Sequence, residues 1–186
     1  AAQNRWGRLG PWSSVVEIVT EVDGVPPPVP SAPVVDNYLG ILRIASDGLG
    51  SAGEAMPDKL VMLYPNTDLR PDRPFASLAS ETGNVMSEAS LAYENSLFVP
   101  DSAGRADPVV SPLLAPDVSG LPETLLVTCE NDPLRDEGEA FARRLEEAGV
   151  VTVTQRFDAM IHGFLQMDGW IGEAVALRQT VARFLA

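Results

Sequence analysis

Apolar residues are densest at Thr124-Leu125-Leu126-Val127-Thr128-Cys129, a run without polar alternation, which predicts a strand buried on both faces of a mostly parallel sheet. It stops at Glu130-Asn131-Asp132-Pro133. Pro133 has no N–H for a ladder, so the chain turns and Asp132 is left at the carboxyl end of the strand. Phe141, Leu145 and Ala148 then recur at helical spacing, opened by Asp136 and Glu139 in the D-x-x-E form of a capping box and closed by Gly149. Val151, Val153 and Phe157 alternate as in a second strand, and residues 158–164 follow as a loop. A right-handed crossover makes two such strands parallel, so the loops after them share one edge, where Asp132 can meet His162.

Elsewhere the pattern is less regular. Lys59 to Tyr64 reads as a strand, residues 84–98 as a helix with Met86, Ala89, Leu91, Tyr93 and Phe98 apolar, and residues 101–120 as polar loop. Ala174, Leu177, Val181, Phe184 and Leu185 predict an amphipathic last helix. Val35, Tyr38, Leu39, Leu42 and Ile44 have helical spacing up to Asp47-Gly48, whereas residues 14–22 fit either a strand or a helix. Pro26, Pro27, Pro28, Pro30 and Pro33 exclude a central strand and predict an extended connector. The glycine-rich stretch 48–53 precedes a strand, the wrong place for a phosphate loop.

Charge narrows the function. A net charge of −13 over 186 residues disfavours nucleic acid and an anionic membrane surface as partners. The one cysteine, Cys129, sits in the apolar run and can form no internal disulfide. No apolar run reaches the length of about 18 residues that spans a bilayer, and a cytoplasmic location is expected. No metal or cofactor is expected. His162 is the only histidine, so any imidazole chemistry must use it.

Several spaced motifs occur in order: Lys59-Leu60-Val61-Met62-Leu63-Tyr64-Pro65 with Thr67-Asp68-Leu69, then Ser111-Pro112-Leu113-Leu114, Asp132-Pro133-Leu134-Arg135-Asp136-Glu137-Gly138 and His162-Gly163-Phe164. Over about residues 57–186 the chain resembles the hormone-sensitive-lipase-like esterases of the α/β-hydrolase superfamily. The resemblance implies an α/β class, a partial α/β-hydrolase fold: a mostly parallel sheet flanked by helices, with N-terminal strands and cap largely missing. Residues 1–50 would be a divergent, proline-rich segment and 51–186 the C-terminal part of the hydrolase domain, as in a fragment, a processed chain or a disrupted reading frame. It further implies a carboxylic-ester hydrolase acting on a small acyl ester, with Asp132 as acid and His162 as general base. A homodimer through the strand at 152–157 and the C-terminal helix is also implied. Taken alone, Asp132 reads first as a helix-entrance carboxylate; Asp136-Glu137-Gly138 and the spacing to His162 turn the reading toward the acid.

Serine becomes a nucleophile when an imidazole takes its proton and a carboxylate fixes the imidazole, and in this superfamily the chain order is serine, acid, histidine. Counting back from the helix at 34–45 puts Ser31 at the nucleophile's place, although Val29 and Pro33 stand where the G-x-S-x-G elbow has glycines. Ser51 keeps Ser-Ala-Gly but leaves no room for a helix before the strand at 59. There is no Gly-Gly pair for the upstream half of an oxyanion hole. Three readings follow: a Ser-His-Asp esterase with a degraded elbow and oxyanion loop, an inactive remnant serving as a structural or interaction module, or an unrelated α/β small-molecule binder.

Overall fold

The computed structural model describes residues 57–186. Ser31, Ser51, the proline-rich stretch and the expected elements at 14–22 and 34–45 lie outside the described residues. Within them, β1 (Lys59–Leu63), β2 (Glu123–Asn131) and β3 (Thr152–Ile161) form one parallel sheet in the order β1-β2-β3. The helices are α1 (Ser77–Ser80), α2 (Glu88–Phe98), α3 (Arg135–Glu147) and α4 (Gly172–Leu185). No helix among the described residues is long and apolar enough to cross a membrane.

The unbroken apolar run explains why β2 is central. Leu126 faces one side and packs with Met62 and with Phe141, Ala142 and Leu145 of α3. Leu125, Val127 and Cys129 face the other, with Phe157, Phe164 and Ala174 and Leu177 of α4. Leu125, Leu126, Val127 and Cys129 of β2 are all fully buried. The sheet is therefore the middle layer between α3 and α4, as the residue patterns predict.

Four local expectations need correction. Only Phe157 of the alternating set on β3 is buried, while Val151 and Val153 are 65% and 45% exposed, because the core on that side reaches β3 only at its carboxyl half. Residues 158–161 continue β3 instead of forming a loop. Phe157 opposes Cys129 and Ile161 opposes Asn131, so β3 uses four residues where β2 uses two. Ala159 absorbs the irregularity at φ 60°, its N–H donating to Glu130 Oε2 at 2.6 Å. α3 has no capping box: its cap position is Leu134, and Asp136 and Glu139 are engaged by Ser77 and Arg156. In α2 the inward positions are Leu91 and Asn95, with Tyr93 64% exposed, because Asn66 Nδ2 donates to Asn95 Oδ1 at 3.0 Å and fixes the helix rotation. The capping box there belongs to Ser87 and Ser90.

The segment expected to be polar loop also carries two 3₁₀ turns, Ala103–Ala106 and Pro112–Leu114. Between them Ser111 is fully buried, its Oγ donating to the Arg105 carbonyl and accepting from the Leu69 N–H.

Candidate active site

Parallel pairing of β2 and β3 brings their carboxyl ends to one edge, and Asp132 and His162 are each the first residue past an end. The Asp132 side chain is buried and divides its two oxygens. Oδ1 accepts from the Leu134 N–H at 2.9 Å, which closes the turn into α3, and Oδ2 lies 2.9 Å from His162 Nδ1. The helix-entrance duty and the imidazole contact are thus both real, on different oxygens of one carboxyl group. Ser77 Oγ donates to the Pro133 carbonyl, and Leu134 packs against Leu78 and Leu91, so α1 and α2 brace this turn.

His162 is held from the other side as well. Gly163 follows at φ 77°, a conformation that costs little without a Cβ, and sends the chain into a 3₁₀ turn, Phe164–Met167. Phe164 is fully buried against Phe157, anchoring the imidazole's own backbone. The Tyr64 ring sits 4.7 Å from the imidazole, centroid to centroid, tilted by 58°. With Nδ1 turned to the carboxyl group and the side chain 16% exposed, Nε2 is the nitrogen free to exchange a proton with a reacting hydroxyl.

The electrostatic surroundings are acidic. Burial pushes the partly exposed Glu94 of α2 above the ordinary carboxyl range, while the nearby His162 pulls it down. Burial, with the Asp132 charge, also raises the Cys129 thiol, so this buried cysteine is a packing residue. No group of acidic, histidine and cysteine side chains among the described residues could hold a metal ion.

Two features have no local signature in the sequence. Tyr64 reads simply as the end of an apolar strand. Glu137 reads as one of three surface charges in the first turn of α3, yet it is fully buried, with Arg73 Nε 3.4 Å from its Oε2. Its Oε1 accepts from the N–H groups of Thr67 and Asp68 at 2.6 and 3.2 Å. Burial pushes its pKa up to about 8 against the opposing pull of Arg73 and those two amides.

Comparison with known proteins identifies the fold and the family. A family model described as alpha/beta hydrolase fold matches residues 41–166. The chain is 35% identical to the ethyl acetate hydrolase of Pseudomonas putida over 144 residues, 76% of this chain and 45% of that protein. It is 32% identical to the carboxylic ester hydrolase LipN of Mycobacterium tuberculosis over 128 residues, 68% of this chain and 34% of the relative. Among solved structures, the hyperthermophilic esterase from Pyrobaculum calidifontis matches with TM-score 0.67 at 30% identity, covering 71% of this chain and 44% of that one. The chain spans less than half the length of these relatives.

Proposed function

The chain belongs to the α/β-hydrolase fold family, among its hormone-sensitive-lipase-like esterases, and from that premise we propose that it hydrolyses carboxylic esters by Ser-His-Asp chemistry. The observation that carries the reading is the 2.9 Å contact between His162 Nδ1 and Asp132 Oδ2 at the carboxyl edge of the sheet. His162 Nε2 takes the proton of the serine hydroxyl as its oxygen attacks the acyl carbon, then returns it to the departing alcohol; a water deprotonated by the same nitrogen releases the acid and restores the serine. Asp132 holds the imidazole in the required tautomer and offsets its transient positive charge. Ser31 is the nucleophile in this proposal, on its place in the chain order, and a small acyl ester is the substrate. Hydrolase relatives disfavour the inactive-remnant alternative.

Assembly and location complete the proposal. Two copies pair through residues 152–157 and α4, supported by the exposed Val153 on β3, with exposed Val151 just before it, and by β3 pairing only with β2 among the described residues. A cytoplasmic site of action suits a protein whose one cysteine is a buried thiol.

The decisive experiment is turnover of a short-chain nitrophenyl ester by the purified chain beside His162→Ala and Ser31→Ala. Activity in the parent that both substitutions abolish is expected. A parent no faster than buffer rejects the reading, and a fully active Ser31→Ala moves the nucleophile elsewhere.

A further inference from the structure

Tyr64 is the last residue before Pro65, and its backbone takes φ 40°, on the left-handed side that a bulky residue rarely adopts. Such strain persists only where the surroundings over-determine it, and it collects at functional sites. Here the surroundings do so on both flanks. The Tyr64 N–H donates to the Val127 carbonyl at 2.6 Å, continuing the β1–β2 ladder past the end of β1. Beyond Pro65, Thr67 and Asp68 are tied to Glu137 through their N–H groups, and Thr67 Oγ1 donates to the Glu137 carbonyl. The outcome is a side chain 1% exposed whose ring lies 4.7 Å from that of His162 and 6.2 Å from that of Phe164.

A single hydrogen bond at Nδ1 fixes one atom of an imidazole and leaves the ring free to swing about that bond, carrying Nε2 through an arc. A second, steric constraint is needed to fix the plane. We propose that Tyr64 is a positioning residue for His162, its buried ring setting the plane of the imidazole that Asp132 has oriented, with the strained backbone at the end of β1 holding the ring in place. The proposal deepens the assignment of His162 as general base and rests on it. Tyr64 touches no reacting atom and acts only through the imidazole.

Because His162 is the only histidine, its ring signals in the NMR spectrum of the full chain need no further assignment. In the parent, cross-relaxation between the Tyr64 and His162 ring protons is expected, and its absence overturns the proposal without any variant. Tyr64→Phe keeps a ring and should leave the His162 resonances within the range set by one aromatic neighbour. Tyr64→Leu removes the ring current and should move those resonances toward solvent values and broaden them as the imidazole samples more than one plane. The same variant should lower kcat on the nitrophenyl ester about 10- to 100-fold with KM little changed. A folded Tyr64→Leu chain whose His162 resonances match the parent's overturns the proposal, whatever its turnover. A parent without turnover removes the hydrolase reading and leaves the imidazole measurements to decide this one.

Discussion

Two carboxyl groups five positions apart, at Asp132 and Glu137, are both buried beside a nitrogen base, and only one of them is placed to do chemistry. Asp132 faces an imidazole that is 16% exposed and can gain and lose a proton. Glu137 faces Arg73, a side chain 5% exposed, whose guanidinium never gives its proton up. The first pair lies at the rim, where strands end and loops begin. The second is sealed under the loop after β1, where Arg73 Nη1 also donates to the carbonyls of Asn66's side chain and Asp68's backbone. Burying a carboxyl group therefore does not make a site; the partner's ability to titrate and its access to the rim do.

The sharpest way to break this comparison is to neutralise each carboxyl group in turn. Asp132→Asn keeps an oxygen for the Leu134 N–H but no longer fixes the imidazole tautomer, and ester turnover should fall by about 10⁴-fold with little change in melting temperature. Glu137→Gln should leave kcat within a small factor. If the two substitutions cost the same turnover, the division of labour drawn here is wrong.

Stability should respond the other way. Glu137→Leu leaves the Arg73 guanidinium buried without its carboxyl partner and frees the N–H groups of Thr67 and Asp68, a loss of about 3–5 kcal/mol by urea or guanidinium unfolding. Asp132→Asn should lose far less, since its helix-entrance bond survives. An unfolding midpoint for Glu137→Leu equal to the parent's would show that the loop after β1 does not depend on this knot.

pH separates the two groups more finely. Glu137 binds its proton more tightly in the folded chain, at about 8, than an ordinary carboxyl group does. Its contribution is therefore fully present at acid pH, below the unfolded value, and is lost as pH rises to about 8. The groups facing it are Arg73, the amides of Thr67 and Asp68, and the Asp68 carboxyl group. Glu137→Gln cannot titrate, so the melting temperature of the parent minus that of the variant should shrink steadily between pH 5 and pH 8 and then level off. A difference that stays flat or grows over that window contradicts the raised value.

Which parts of this were legible in the sequence follows from the range of the interactions. The apolar run of β2, the helical spacing of α3 and Gly149 at φ 81° after it are local patterns, and the parallel crossover carries them to one edge. Asp132 and His162 could be paired for that reason, 30 residues apart though they are. The partners of Glu137 and Tyr64 come from the loop after β1 and from the far strand, at sequence separations where no periodicity reports a contact. The rotation of α2, with Tyr93 outward and Asn95 inward, was hidden for a related reason. A polar residue turned inward by one distant amide looks like a solvent-facing position until that amide is known.

The smallest effect tests how closely the two carboxyl groups are held to one scaffold. Gly138 follows Glu137 in the first turn of α3, and a Cβ there would lie 3.2 Å from Thr128 Cγ2 and 3.6 Å from Pro65 Cδ. The helix gains about 1 kcal/mol when an interior glycine becomes alanine. Against this, Thr128 is buried on β2 and its Oγ1 is bound to Glu139, while Pro65 is a rigid ring between Tyr64 and the knot, so neither neighbour yields easily. Overpacking of this kind costs about 1–3 kcal/mol, so Gly138→Ala should come out destabilised by about 1 kcal/mol, read as a lowered denaturation midpoint. Because the new methyl crowds Thr128 on β2 and comes into contact with Pro65 beside Tyr64, the His162 ring resonances should shift slightly as well. A stabilised variant with unmoved resonances would mean that α3 and the loop carrying Tyr64 can part without disturbing the imidazole.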